Sequence, residues 1–214
     1  MTELALNTFF RSSAAWRVRI AFQLKGLSYS AVYRNFREQA QRAPDHLALN
    51  PQGLVPTLVA DGVSFGQSLA IIEYLDETHA DPPLLPADPV ARAQVRAMAQ
   101  IVACDIHPIG NLRVLQYLRT EFGQSEDSVN AWYRHWVKQG FDALEALASA
   151  QGDGRHCHGE RVSIADICLV PQMYNARRFG ADLDSYPTLR AIDAHLAALP
   201  AFSDTAPERQ PDAV

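Results

Sequence analysis

Residues 4–26 read LALNTFFRSSAAWRVRIAFQLKG, and this stretch decides the fold of the first part of the chain. Its opening residues have the apolar spacing of a strand that stops at Arg11. Ser12 or Ser13 can then cap a helix. Gly26 follows that helix, as glycine commonly does because it adopts the left-handed conformation easily. The stretch therefore predicts a strand, a sharp turn and a helix.

The next residues continue the alternation of strand and helix signals. A second strand is predicted over residues 29–33, and two short strands, 57–59 and 63–65, flank a three-residue turn typical of a hairpin. Ser68 is then predicted to cap another helix. The order strand, helix, strand, hairpin, helix is that of an α/β thioredoxin-like N-terminal domain, which we assign to residues 1–80.

Prolines mark a boundary at residues 81–88, which read DPPLLPAD. Each proline fixes φ and disfavours helix before it, so we expect a semi-rigid linker here. Residues 89–214 read almost entirely as helix, with a kink at Pro108, and we predict an all-α C-terminal helical bundle. Helices are predicted over residues 88–118, 128–150, 163–179 and 187–199. Ser163 and Asp166 form a capping box, whose role is folding rather than chemistry.

Composition limits the partners and the location. The 214 residues carry a formal net charge of −5, which offers no basic surface to a phosphate backbone, so we expect no nucleic-acid partner. No apolar run approaches the roughly 18 residues of a membrane span and no signal peptide is recognisable, so we expect a cytoplasmic protein without a membrane partner. Cys104, Cys157 and Cys168 lack metal-ligand spacing, and we interpret them as buried thiols, with no metal site.

Two further segments have the features of a ligand site. Pro56 pushes Val55 into an extended conformation, and a cis Val55–Pro56 bond would expose main-chain groups to an extended peptide. Gln67 and Ser68 lie at a helix start, where unpaired N–H groups and the Ser68 hydroxyl would stabilise a carboxylate. Each feature alone is commonly only a turn or a cap. Their combination favours a site for a peptide that carries a carboxylate.

These motifs resemble those of the zeta-class glutathione transferases over nearly the whole chain. The likeness rests on FRSSAAWRVRIA at 10–21, ALNP at 48–51, VP at 55–56, QSLAIIEYL at 67–75, CDIHP at 104–108 and RQPD at 209–212. It implies a thioredoxin-like domain that holds glutathione, a helical domain that shapes the substrate pocket, and a homodimer.

The resemblance also implies roles for single residues. Ser12 and Ser13 would activate the glutathione thiol, with Arg11 as a third catalytic residue. Glutathione would be bound by Val55, Pro56, Gln67, Ser68, His107 and Asn111. The family places a carboxylate-binding arginine at Arg178. Arg11, beside the serines, and Arg113, after Pro108, are further candidates to bind substrate carboxylates, because a guanidinium pairs with two oxygens at once.

Three positions near the serines, Ala14, Arg17 and Arg19, have separate implications. The family commonly carries cysteine where this chain has Ala14, so activation must come from hydroxyls and the helix N-terminus rather than from a protein thiol. We assign Arg17 and Arg19 to structural or surface roles, because helical spacing turns them away from the serines.

In the family reaction, glutathione thiolate adds to the cis double bond of an enedione diacid, a single bond rotates, and elimination returns the trans isomer. The resemblance therefore implies isomerisation of a maleyl diacid, maleylacetoacetate to fumarylacetoacetate. Maleylpyruvate is the alternative substrate within this class. Conjugation of small electrophilic acids, or peroxide reduction, is a second alternative. A non-enzymatic binding module is the third, against which the full set of glutathione-binding residues argues.

Overall fold

The computed structural model describes residues 3–213, which form two compact units. The first unit contains the chain up to Leu84 and returns from Ala198 onward, whereas the second spans Leu85–Ala197. Among the described residues, none of the helices is long and apolar enough to cross a membrane.

The first unit is built on a four-stranded mixed sheet in the order β2-β1-β3-β4. Its strands are β1 (Leu4–Thr8), β2 (Ser30–Tyr33), β3 (Thr57–Ala60) and β4 (Val63–Gly66). Strand β1 runs parallel to β2 and antiparallel to β3, and β3 runs antiparallel to β4. The helices of this part are α1 (Ser13–Leu24), α2 (Pro44–Leu49) and α3 (Ser68–Thr78), with short 3₁₀ turns at Phe36–Glu38 and Ala40–Arg42. The predicted thioredoxin-like fold is confirmed.

Helix α1 begins and ends where local sequence signals indicate. Of the two candidate serines, Ser12 is the N-cap, and its Oγ accepts a hydrogen bond of 3.2 Å from the Ala15 backbone N–H. The helix ends at Leu24, and Gly26 follows with φ of 62°. That angle lies in the left-handed region that favours glycine.

Helices α1 and α3 pack against each other, and the sheet contributes further side chains to the core of this unit. Leu6 and Leu58 from the strands and Ile20, Ile71 and Leu75 from the two helices are fully buried. Each such side chain stabilises the fold by about 1.5–3 kcal/mol relative to an exposed position.

The second unit consists of helices. These are α4 (Pro89–Gln100), a π-helical segment at Ile101–Ile106, α5 (Leu112–Thr120), α6 (Glu126–Gln151), α7 (Ile164–Arg178) and α8 (Pro187–Ala197). Asp88 caps α4 through hydrogen bonds from Val90 and Ala91. The capping box of α7 is present, with Asp166 Oδ2 accepting from the Ser163 N–H at 2.8 Å. The predicted helical domain is confirmed in its architecture.

The expected helix with a kink at Pro108 is not observed. The α-helical hydrogen bonding changes to the π type at Ile101, and a separate helix begins at Leu112. Pro108 has no N–H to donate, and Asn111 starts the new helix by accepting from the Arg113 N–H at 3.1 Å. The chain therefore breaks here rather than bends.

The compact units differ from the predicted division, which ran the helical domain through residue 214. Residues from Ala198 onward, including α9 (Pro200–Ser203) and a 3₁₀ turn at Pro207–Arg209, belong to the first unit. Trp16 Nε1 donates to Thr205 Oγ1 at 3.0 Å, and the Phe10 N–H donates to Asp212 Oδ2 at 2.9 Å. These side-chain partners of α1 and of the turn before it are what hold the segment there.

Candidate functional site

Strand register brings the predicted glutathione-binding segments of the first unit to one edge of the sheet. Asn7 of β1 lies opposite Thr57 of β3, and Thr57 lies opposite Gly66 of β4. Because both pairings are antiparallel, the end of β1, the start of β3 and the end of β4 meet at the same edge. The residues that follow β1, precede β3 and follow β4 are those predicted to bind glutathione.

The turn after β1 presents the N-terminus of α1. Ser12 is half-buried, and because its Oγ accepts from the Ala15 N–H, its own hydroxyl proton remains available for donation. Ser13 is the first helical residue, and 5% of its surface is exposed. Arg11 is exposed, and its guanidinium carbon lies 5.1 Å from the centre of the Phe10 ring. The helix N-terminus adds positive potential that favours an anion beside Ser12.

A buried guanidinium holds the backbone of this turn. Arg19 is 1% exposed and donates to Phe10 O at 2.9 Å, Phe9 O at 3.3 Å, Thr8 Oγ1 at 3.1 Å and Thr205 O at 3.2 Å. The surface alternative for Arg19 is thus wrong, and its role is structural. Burial lowers the pKa of Arg19 to about 10, so the side chain remains charged at neutral pH.

The segment before β3 has the expected conformation. The Val55–Pro56 peptide bond is cis, and both residues are buried. Asn50 Nδ2 donates to Leu54 O at 3.0 Å and to Thr57 Oγ1 at 2.9 Å, which fixes the loop on either side. Among residues 3–213, no backbone–backbone hydrogen bond involves Val55. Its main-chain groups can therefore pair with an extended ligand.

The start of α3 differs from the prediction in one respect. Gln67, not Ser68, occupies the N-cap position, with φ of 68°, and Ser68 is the first helical residue. The Gln67 side chain makes no capping hydrogen bond, and its Nε2 instead donates to Gln52 Oε1 at 3.0 Å. A positive φ is uncommon for glutamine, and such angles concentrate at ligand sites. The first turn of α3 thus begins without a side-chain cap.

Arg17 is a neighbour of this helix start that the sequence interpretation missed. Of the structural and surface roles expected for it, the surface role is wrong, because Arg17 is 1% exposed. Its Nη1 donates to Ser68 Oγ at 3.4 Å, which links α1 to α3. The sequence did contain a signal for its burial: the neighbours Trp16 and Val18 are apolar, and so are Ile20 and Ala21 one turn further on.

In the second unit, the segment from the π helix to α5 carries three of the predicted site residues. His107 is half-buried, and its N–H donates to Val102 O at 2.9 Å. Asn111 uses its Oδ1 to cap α5, which leaves the amide NH₂ as its donor group. Arg113 is exposed in the first turn of α5, and within residues 3–213 it has no carboxylate partner.

The end of α7 distinguishes two adjacent arginines. Arg177 Nη1 lies 2.6 Å from Asp193 Oδ2, so its charge is already paired. Burial raises the pKa of Asp193, and Arg177 opposes that shift. Arg178 is exposed, with its guanidinium carbon 5.0 Å from the centre of the Phe179 ring. Both arginines are exposed, and Arg177 is the one with a carboxylate partner identified on α8.

The cysteines have mixed environments. Cys157 and Cys168 are buried, as expected, but Cys104 is exposed on the π-helical segment. Burial raises the pKa of the Cys157 thiol far above its ordinary range, so it is not a nucleophile at neutral pH. In the described part of the chain, no cluster of three or more His, Cys, Asp or Glu side chains is arranged to hold a metal ion.

Known proteins are similar to this chain in both sequence and structure. Residues 11–78 match the family model for the glutathione S-transferase N-terminal domain, and residues 130–198 match that for the C-terminal domain. The probable maleylacetoacetate isomerase of Vibrio cholerae is 49% identical, over 100% of both chains.

Two solved structures are similar at the level of the whole chain. A zeta-class maleylpyruvate isomerase in its holo form has a TM-score of 0.95 and 46% identity, covering 98% of this chain and 100% of its own. A maleylacetoacetate isomerase from Anaeromyxobacter dehalogenans, solved with glutathione in its active site, has a TM-score of 0.89 and 43% identity, covering 100% and 99%. The chain therefore belongs to the zeta class of the glutathione transferase family.

Proposed function

We propose that this protein is a glutathione-dependent isomerase that converts maleylacetoacetate to fumarylacetoacetate. The observation that carries the proposal is the meeting of three features at one sheet edge: the Ser12-capped helix, the Val55 main chain and the start of α3. Together they suit a peptide that has a thiol in its middle and a carboxylate at one end. The relative at 49% identity carries the name of this activity.

The residues present fit glutathione. Within residues 3–213, the Val55 main chain makes no backbone hydrogen bond and can pair with the cysteinyl residue, next to Pro56. Gln67 and Ser68 begin a helix in which the N-cap side chain makes no capping hydrogen bond. Those N–H groups suit the carboxylate of the γ-glutamyl residue. When bound, glutathione supplies the thiol that adds reversibly to the cis double bond of the substrate.

We propose that Ser12 and Ser13 stabilise the thiolate form of that cofactor. Ser12 is half-buried and has a hydroxyl proton to donate, whereas Ser13 is 5% exposed, so we assign the main donor role to Ser12. The N-terminus of α1 favours the same negative charge. Ala14 contributes no thiol, so all activation comes from these donors.

Carboxylate binding is the proposed role of three arginines. Arg11 and Arg113 are exposed and have no carboxylate partner within residues 3–213, and Arg178 follows the already paired Arg177. A guanidinium binds a carboxylate with two parallel hydrogen bonds, which orients a diacid as well as holding it. From the second unit, we also propose that His107 and Asn111 contribute to glutathione binding.

Maleylpyruvate is the second candidate substrate. It is favoured by the structural match with a TM-score of 0.95, whose protein is named for that activity. Both substrates are cis enedione diacids, so the same thiol and the same arginines serve either one. We further propose a cytoplasmic homodimer, which the family resemblance supports and which light scattering after size-exclusion chromatography tests.

The test is an absorbance assay of isomerisation with each substrate and catalytic amounts of glutathione. We expect turnover far above the uncatalysed rate, with kcat/KM highest for maleylacetoacetate. A higher kcat/KM for maleylpyruvate would transfer the assignment to that substrate. Stoichiometric consumption of glutathione, with activity only on chlorinated acids, would contradict isomerisation and support conjugation.

Variants assign the individual roles. Ser12→Ala should mainly lower kcat, because the donor acts on the reacting sulfur, and Ser13→Ala should have the smaller effect. Arg178→Ala should mainly raise KM, as expected for a group that binds ground state and transition state alike. Arg161→Ala, a change of an exposed arginine on the same unit, is the matched control and should alter neither constant.

A further inference from the structure

Two arginines in α1 are equally buried but differ sharply in their hydrogen bonding. Arg17 and Arg19 are each 1% exposed. Arg19 makes four hydrogen bonds to the chain around it. Arg17 makes one long bond, 3.4 Å, to Ser68 Oγ, and its Nε and Nη2 have no hydrogen-bond partner among the described residues. A buried guanidinium without a counter-charge is unfavourable, so Arg17 is poorly explained as a purely structural residue.

We propose that Arg17 is a positioning residue for the ligand carboxylate at the start of α3. It holds the Ser68 hydroxyl in a donating orientation and supplies a buried positive charge behind it. This inference rests on the proposed function, in which the γ-glutamyl carboxylate of glutathione binds there.

The contact with Arg17 determines which way the Ser68 hydroxyl can donate. A hydroxyl has one proton and two lone pairs, and Arg17, which is only a donor, occupies a lone pair of Ser68 Oγ. The proton of Ser68 cannot be used toward Arg17 and is available to a carboxylate. A charged donor on the oxygen also polarises the hydroxyl and strengthens its outgoing hydrogen bond.

Positive charge accumulates at the start of α3. The N-terminus of α3 carries the positive end of the helix dipole, and Arg17 adds a full charge of the same sign close to it. Gln67 supplies no negative group, because its side chain is neutral and donates a hydrogen bond to Gln52. An anion at the first turn of α3 would therefore relieve repulsion as well as gain hydrogen bonds. Arg17 therefore destabilises the protein in the absence of a ligand and favours the binding of an anion at the first turn of α3.

The experiment compares Arg17→Met with Arg19→Met as the matched control. Thermal unfolding of the protein without glutathione should give an unchanged or higher midpoint for Arg17→Met, because an uncompensated buried charge is removed. Arg19→Met should lower the midpoint, since four hydrogen bonds are lost. A midpoint for Arg17→Met that falls as far as that of Arg19→Met would overturn the proposal, because it would show a mainly structural role.

Isothermal titration calorimetry then measures how much of the binding affinity depends on the α-carboxylate of the γ-glutamyl residue. Glutathione should bind Arg17→Met at least tenfold more weakly than the unaltered protein. The probe 4-aminobutyryl-cysteinyl-glycine, which lacks the α-carboxylate of the γ-glutamyl residue, should bind both proteins equally. Arg17→Lys keeps a charge and a donor and should recover part of the lost affinity for glutathione.

Two results would contradict the proposed role of Arg17. One is an equal loss of affinity for both peptides, which would mean that Arg17 supports the site as a whole. The other is unchanged glutathione affinity in Arg17→Met. Neither result depends on the isomerase assay, so the proposed function is tested separately. Tight glutathione binding without isomerisation would contradict the proposed function but not the role of Arg17.

Discussion

Replacing Arg19 with methionine should loosen the turn that carries Ser12. Methionine keeps an unbranched side chain of similar length but removes every donor. The guanidinium now reaches three backbone carbonyls and one hydroxyl, three of them in the segment just before Arg11. Burial lowers the pKa of Arg19 only to about 10, so the wild-type side chain is charged and donating at pH 7.

The size of the effect follows from the acceptors left behind. Phe9 O keeps a second donor, the Ser12 N–H at 3.0 Å, and the Thr8 hydroxyl can turn toward another partner. Phe10 O and Thr205 O lose the only donor that reaches them within residues 3–213. Each buried unpaired group costs about 1–3 kcal/mol, so two of them predict a loss of about 2–6 kcal/mol in the free energy of unfolding.

Urea unfolding followed by fluorescence measures this loss, and hydrogen exchange locates it. Exchange should accelerate in the turn before α1 and in the C-terminal segment, because Arg19 joins the two. Lys138→Met is the control, since Lys138 is an exposed partner in an i,i+4 ion pair and should change the free energy by less than about 0.5 kcal/mol. A loss below about 1 kcal/mol for Arg19→Met would refute the reasoning, because it would mean that the orphaned carbonyls find other donors.

Two further predictions concern the second unit. Desolvation raises the pKa of Asp153, but hydrogen bonds from the backbone N–H groups of Arg155 and His156 outweigh it and hold the pKa at about 2. The charged carboxylate therefore stabilises the fold fully above its unfolded pKa of about 3.9, and this stabilisation is lost as the pH falls toward 2. In urea titrations, Asp153→Asn should lower the free energy of unfolding by about 1 kcal/mol at pH 7 and by almost nothing at pH 2. A difference that does not change with pH would contradict this prediction. Gly140→Ala should destabilise the protein by about 1–2 kcal/mol despite the better helix propensity of alanine. A Cβ at this position of α6 would lie 2.3 Å from Ile106 Cδ1, and calorimetry showing a raised midpoint would mean that Ile106 can move aside.

Local signals were enough to predict most of the secondary structure. A serine cap before α1, left open between Ser12 and Ser13, Gly26 after the helix and the Ser163–Asp166 capping box all act within a few residues, so sequence spacing indicates them. The hairpin of β3 and β4 likewise depends on the short turn between its strands. The sheet edge that gathers the site follows from these elements once their pairing is known.

Features that depend on distant segments were not predictable in this way. Structural or surface roles were expected for Arg17 and Arg19, but both side chains are buried: Arg17 contacts Ser68 of α3, and Arg19 contacts Thr205. Nothing near either arginine in the sequence specifies these neighbours. The positive φ of Gln67 was also missed, because glutamine is not a residue type that signals a left-handed backbone.

The return of the C-terminal segment to the first unit has a consequence for synthesis. The Phe10 N–H in the turn before α1 acquires its acceptor Asp212 from 202 positions later in the chain, and Arg19, which holds this turn, acquires its acceptor Thr205 O from 186 positions later. Contacts so far apart in sequence are slow to form, because a long loop must close first. A nascent chain that has already emerged through α8 would thus still have the indole N–H of Trp16 without its acceptor Thr205 Oγ1. The first unit, although its N-terminal part is synthesised first, can therefore form its last hydrogen bonds only after the C-terminal segment has been synthesised.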